Sequence, residues 1–352
     1  MEEEKKEIQV RLVEGKKETK KEELTDILKI ISPGTSLRSA IEGIQKAKTG
    51  GLIVACNEFT ETLFEGGFKI NARVTPQRLI ELSKMDGAII LSRDLKKILH
   101  ANVLLTPNNS IPSNETGTRH KAAERTAKQA ETVVLTVSQR RDELALFYKN
   151  MKYVIRNTGE IIRRATEVLQ ILEKHKEVFE KNKSELDKEE LKKRQVLTKA
   201  LLLIQRGIMI LKISDTLKGY IIELGAEGTI VKSRLREILY KVEKEIDDVV
   251  RDYTRLGLTK SKKILSVLSY EELLELDNIR QCLGLSEDKD ITSKGHRALG
   301  RIGISEKDAG VLIKNFKNLI SIYELRREDL IPFFEEERII EILEKISHLK
   351  EI

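Results

Sequence analysis

A chain of 352 residues in which 34% are charged, only 4% are aromatic and none is tryptophan suits two or three domains rich in long, solvated helices, not a large β-protein. The net charge of +7 and pI near 9.1 allow contact with nucleotides or nucleic acid but demonstrate neither. No apolar run approaches the roughly 20 residues that span a bilayer. The Glu- and Lys-rich start, Met1 to Lys21, has no signal-peptide core and is expected to be loosely ordered, so a cytosolic location is expected. Cys56 and Cys282 stand far apart, without a CxxC or a disulfide framework, and read as small buried hydrophobes.

In chain order, Leu24 to Ile31 and Leu37 to Lys46 read as helices, the second preceded by a Pro33-Gly34 turn and Ser36 as its start signal. Gly51 to Cys56 is an apolar run of strand length. Gly66-Gly67 turns the chain before Phe68-Lys69-Ile70. Pro76 to Ser83 reads as a helix with proline in its first turn. Strands are expected at Gly87–Leu91, Ile98–Leu105, Thr132–Val137 and Leu144–Tyr148, their continuous apolar runs being those of a helix-covered sheet. From about residue 151 the character changes. Helical stripes run through Ile161, Ile162, Ala165, Val168, Leu169 and Leu172, then Leu201, Leu202, Ile204, Ile208 and Leu211, as in a packed bundle. Lys174 to Arg194 is heavily charged and reads as a solvated helix or a connection. An Ala226-Glu227-Gly228 turn follows, and residues 260–352 read as short helices punctuated by Gly295, Gly300, Gly303 and Gly310.

Two short stretches carry chemistry. In Asp86-Gly87-Ala88 a carboxylate could hold Mg²⁺ or Mn²⁺, hard cations that prefer oxygen, and the glycine would let a ligand lie against the backbone. Alone, an Asp-Gly before a strand is more often a plain turn. Thr116 to Lys121, followed by an Ala-rich charged segment, reads as a helix start with Thr118 near the cap, where free N–H groups and the cations Arg119, His120 and Lys121 would meet an anion. A solvated basic helix start is the plainer alternative. His100, His175, His296 and His348 lack metal-ligand spacing and suit surface or structural roles.

Taken together, Leu82–Ser92 and Ile111–His120 resemble the two signature blocks of the diadenylate cyclase family, and Ile31–Arg38, Gly66-Gly67-Phe68 and Ala101-Asn102-Val103 resemble its connecting segments. The resemblance is strong over 24–155. It weakens through the remainder, whose layout is similar to the DNA-scanning branch of that family. It implies a multidomain chain: a charged segment at 1–23, an α/β cyclase domain with a mixed sheet flanked by helices at 24–155, an all-α helical middle or spine at 156–290, and a tandem helix-hairpin-helix DNA-binding domain at 291–352. It also implies that two ATP condense to cyclic di-AMP and two pyrophosphates across a face-to-face pair of cyclase domains, in a homo-oligomer (an octamer) without a membrane partner.

In family terms Asp86 is the catalytic and metal residue. Gly87 and Leu105 lie against the nucleotide, Thr118, Arg119, His120, Lys121 and Ala122 cradle phosphates, and Ser138 adds a phosphate contact. The family usually reads Arg-His-Arg where this chain has Arg119-His120-Lys121, so the charge is kept but a planar fork is lost. In the C-terminal part, Ile302 to Ala309 resembles a helix-hairpin-helix turn with Ser305 in place of a second glycine. Such turns set backbone N–H groups against DNA phosphates. Gly303, Lys307 and Arg301 are the DNA-contact candidates, with Arg297, Lys314 and Lys317 as nearby charge, and branched DNA the expected partner. The second hairpin, Ile331 to Glu337, lacks both glycines, and packing is at least as good an explanation of it as DNA contact. A non-catalytic nucleotide sensor that binds branched DNA is the other reading of the whole.

Overall fold

The computed structural model describes residue 23 and residues 25–139, 143–190, 196–285 and 291–348. Leu24, Arg140, Arg141, Arg194 and nearly all of the charged N-terminal segment lie outside them. The chain divides into two compact units. One comprises residues through Ala165 together with Gly219–Ile230, and the other Thr166–Lys218 with the chain from Val231 onward.

The first unit is built on a mixed eight-stranded sheet. Its strands are β1 (Gly51–Ala55), β2 (Phe64–Glu65), β3 (Phe68–Arg73), β4 (Ala88–Leu91), β5 (Lys97–Leu105), β6 (Val133–Val137), β7 (Leu144–Tyr148) and β8 (Met151–Ile155). They lie in the order β2-β5-β4-β1-β6-β7-β8, with β3 also paired to β5. Strands β1 and β4 pair in parallel, Ile53 opposite Ile89, and the other pairs are antiparallel.

Side-chain alternation explains the continuous apolar runs, because successive residues of β1 enter different cores. Ile53 and Ala55 pack beneath α1 (residues 25–30), α2 (Ser36–Ala47) and α3 (Pro76–Leu82), among Ile41, Ile44 and Leu79. Leu52 and Val54 pack beneath α4 (Thr118–Ala130), among Ala123, Ala127 and Phe147. The small alanines let α4 approach the sheet closely. The caps differ from expectation by one residue. Thr35, not Ser36, caps α2 by accepting from the Arg38 N–H at 3.2 Å.

Two strands were not expected. β2 is too short to carry a pattern. β8 falls where helix was expected to begin, and it alternates half-buried Met151, Tyr153 and Ile155 with exposed Lys152 and Val154.

Beyond β8 the chain is helical: α5 (Thr158–Glu190), α6 (Val196–Leu224), a 3₁₀ turn at Gly225–Gly228, then α7 (Thr229–Leu239), α8 (Val242–Tyr253), α9 (Leu258–Val267) and α10 (Leu276–Cys282). The charged stretch from Lys174 is not merely solvated, since Phe179, Leu186 and Glu190 are buried. Cys282 is buried as expected, whereas Cys56 is only half-buried. The last five helices are α11 (His296–Arg301), α12 (Glu306–Phe316), α13 (Leu319–Tyr323), α14 (Arg327–Leu330) and α15 (Glu336–His348). They share a small core of Leu299, Leu312, Ile322, Leu330, Ile339 and Ile342. Among the described residues no helix is long and apolar enough to cross a membrane.

Candidate functional site

The two chemistry-bearing stretches meet at one end of the sheet. Asp86 stands one residue before the Gly87 that leads into β4, and its side chain is fully exposed. Gly87 has φ +104°, and a Cβ there would lie 2.8 Å from the Val103 carbonyl oxygen. The glycine is therefore required by the close approach of β5, a reason internal to the fold and different from the expected ligand approach. The Arg119 guanidinium reaches to 3.7 Å from the Asp86 carboxylate. Gly50, just before β1, leaves the room for it: a Cβ there would stand 2.6 Å from an Arg119 guanidinium nitrogen.

The first turn of α4 faces this point. Its N-cap is Gly117, which has no side chain to bond the turn, and Thr118 is the first helical residue, not the cap. The initial N–H groups lack intrahelical acceptors and carry the positive end of the helix dipole. The preceding loop is strapped to α4: Arg125 donates to the Ile111 carbonyl at 2.9 Å, Lys128 to that of Pro112 at 2.8 Å, and the Asn114 N–H to Glu124 at 3.0 Å. Together they form a cleft of about 500 Å³ lined by residues 115–120, by Val137, Ser138 and Gln139, and by Glu143.

Charge in the cleft is mixed. Lys152 of β8 bridges Glu115 at 2.7 Å and Glu143 at 3.3 Å. Burial alone would lower the Lys152 ammonium, but the bond and charge of Glu115, with Glu143, hold it above the ordinary lysine value. His120 moves the other way. Burial depresses its pKa more than Glu115 and Glu143 raise it, which favours the neutral ring.

Of the predicted site residues, Thr118, Arg119, His120 and Ser138 converge on the cleft, and Asp86 joins them through Arg119. Lys121 and Ala122 continue α4 half-buried and are not part of its lining. Leu105 packs beside Cys56, Phe64 and Leu99 in the apolar layer under α4. Gly50, Glu115, Gln139, Glu143 and Lys152 belong to the site without having been singled out. Among the described residues no three His, Cys, Asp or Glu side chains gather as metal ligands. A lone exposed carboxylate suits an ion that takes most of its oxygens from a phosphate substrate, as Mg²⁺ commonly does.

A family model described as DisA bacterial checkpoint controller nucleotide-binding matches residues 38–152, which span this cleft, and one described as the DisA checkpoint controller linker region matches residues 155–292. The chain is 39% identical over 321 residues to the DNA integrity scanning protein DisA of Acetivibrio thermocellus, covering 88% of this chain and 89% of that protein. It is 40% identical over 319 residues to the DisA of Clostridium kluyveri, covering 88% and 90%. The chain belongs to the DisA family. DacA of Staphylococcus aureus, a solved structure, aligns with 34% of the chain and 85% of its own, at 23% identity and a TM-score of 0.29.

In this DisA-family chain the two matched models stop at residue 292, short of α11–α15. The DNA-contact candidates there are unequal. Arg297 is 2% exposed and paired with Asp187, Glu190 and Glu245, so it serves the interior and does not supply the surface charge expected of it. Arg301 also pairs with Asp187 but keeps a half-exposed side chain, and Lys307 is exposed. At Gly303, φ is +75° and the backbone bends as a tight turn requires. Its N–H is taken by the Gly300 carbonyl, and that of Ile304 by Leu299, so the N–H groups open to a phosphate belong to the first turn of α12. In the second turn Phe333 packs edge-on against Phe316 with ring centroids 6.0 Å apart.

Proposed function

We propose that this DisA-family protein is a diadenylate cyclase that condenses two ATP into cyclic di-AMP with release of two pyrophosphates. The observation that carries the reading is the meeting of Asp86 with Arg119 beside the open N-terminal turn of α4. The carboxylate would orient the attacking 3′-hydroxyl. The guanidinium and the α4 amides would hold and neutralise the triphosphate whose α-phosphorus is attacked. His120 offers a hydrogen bond, and Ser138 closes the opposite wall.

Mg²⁺ or Mn²⁺ would be held by Asp86 together with substrate oxygens, and when bound it would supply charge neutralisation and a more acidic hydroxyl. Each domain holds one nucleotide, so two domains must face each other in a homo-oligomer, with the octamer of the family as the assembly. The α11–α12 pair is read as the first helix-hairpin-helix, contacting branched DNA without sequence preference through Gly303, Lys307 and Arg301, and the location is read as cytoplasmic.

Purified protein incubated with ATP and Mn²⁺ should yield a product with the mass of cyclic di-AMP. Asp86→Asn should still bind ATP while product formation falls about 100-fold or more. ATP binding without product in the wild type would leave the sensor reading standing in place of the enzyme.

A further inference from the structure

The second unit contains a cleft of about 690 Å³ walled by α5, α8, α11 and α12. Six Lys or Arg side chains and three carboxylates line it, and the carboxylates are already matched. Glu245 is held by Lys183 at 3.0 Å and by Arg297, while Asp248 is held by Arg251 at 3.5 Å. Glu306 stands at the rim, 88% exposed and 4.0 Å from Arg251.

Two cations have no close pair, although the charge of Lys244 bears on Asp248. Among the described residues no carboxylate lies within ion-pair distance of Lys241 or Lys244. Lys241 is doubly unfavourable where it is. It adopts the left-handed conformation, φ +60°, and it sits at the N-cap of α8, where a cation opposes the helix dipole. Its ammonium rests over the Tyr240 ring, 5.1 Å from the centroid, a neutral partner that leaves the charge open to an anion. The opposite wall indicates which one. Gly300, Arg301 and Ile304, which flank the Gly303 turn, belong to the same cleft.

We propose that this cleft takes the backbone phosphates of a DNA strand leaving the α11–α12 turn, with Lys241 and Lys244 as its phosphate contacts. The proposal rests on the DNA-binding reading above and moves much of the contact from the turn to the helical region beside it. It also explains how DNA can be held although Arg297 and two N–H groups of the turn are already engaged.

The test uses the full chain and a fluorescent four-way DNA junction titrated over a salt series. Lys241→Gln with Lys244→Gln should lower affinity more than tenfold at moderate salt. It should also reduce the slope of log affinity against log salt by about 1.8, at about 0.9 per lost phosphate contact. Lys241→Arg with Lys244→Arg should keep both, and ATP turnover without DNA should be unchanged in all variants. A wild-type affinity and slope in the double Gln variant, with binding still lost in Lys307→Gln, would confine DNA to the turn and overturn the proposal. If pyrophosphate raises the melting temperature of the wild type but not of the Gln variant while junction binding is equal, the cleft takes a free polyanion and the DNA assignment is overturned. Absence of junction binding by the wild type would instead remove the DNA-binding reading beneath it.

Discussion

Arg119 ties together residues that the chain keeps far apart. It is about one-third exposed, stands over Gly50 and reaches Asp86, so its guanidinium is fixed before any substrate arrives. Fixing a cation in advance reduces the side-chain entropy lost on binding. Arg119→Ala should weaken binding of a non-hydrolysable ATP analogue by about 1.5–3 kcal/mol, the scale of a hydrogen bond to a charged group. Calorimetry checks this, and an unchanged affinity would place the phosphates elsewhere. That Asp86 and Arg119 belonged to one site was legible in two motifs. The wall opposite them was not. Glu115 and Glu143 are 28 residues apart, and Lys152 lies on β8, a strand that was not expected. Nothing local in a sequence marks a salt bridge closed by tertiary structure.

At the scale of elements, β8 and α8 each place a charge that helps another element. Lys152 neutralises two carboxylates of the cleft proposed to take a triphosphate. Lys152→Met should reduce ATP affinity roughly fivefold, the effect of about 1 kcal/mol. Adding Glu143→Gln should restore part of it, a rescue that a purely structural lysine would not show in the same titration.

On α8, Asp252 performs the capping that Gly295 cannot. It accepts the N–H groups of Gly295, His296 and Arg297 at 2.9, 2.6 and 3.1 Å and so caps α11 from another helix. Burial, and then Glu190, push its carboxyl up to about 7 against the pull of those N–H groups. A carboxyl raised in the folded state favours folding most below its unfolded value near 4 and loses that contribution as pH rises through about 7. The melting-temperature advantage of wild type over Asp252→Asn should therefore shrink from pH 5.5 to pH 8. A constant difference would show that Asp252 does not titrate in that range. The helices themselves were readable from their stripes, but this capping was not, because the acceptor lies 43 residues before the first donor.

At the scale of the whole molecule, the sheet unit is discontinuous in sequence. Residues Gly219–Ile230 belong to it and pack against the segment before α2. The Ala226 N–H donates to the Pro33 carbonyl at 3.4 Å, a Cβ at Gly225 would lie 2.4 Å from the Ser32 hydroxyl, and Arg156 reaches Glu223 at 3.8 Å. These contacts join residues on either side of residue 155, the boundary that the family resemblance implies. A fragment of residues 23–165 should melt lower than the same unit in the full chain, and a peptide spanning 215–232 supplied in trans should raise its melting temperature. Equal melting with and without the peptide would show that the seam contributes nothing.

The same seam sets a clock on biosynthesis. When Ala165 leaves the ribosome, the strands and α1–α4 are complete, but their last partner lies 65 residues ahead (230 − 165). At about 5–20 residues per second that is roughly 3–13 s. During this interval the nascent sheet unit has its cleft but not the segment that seals Ser32 to Gly34, and the long helices must form and turn back before that unit is finished.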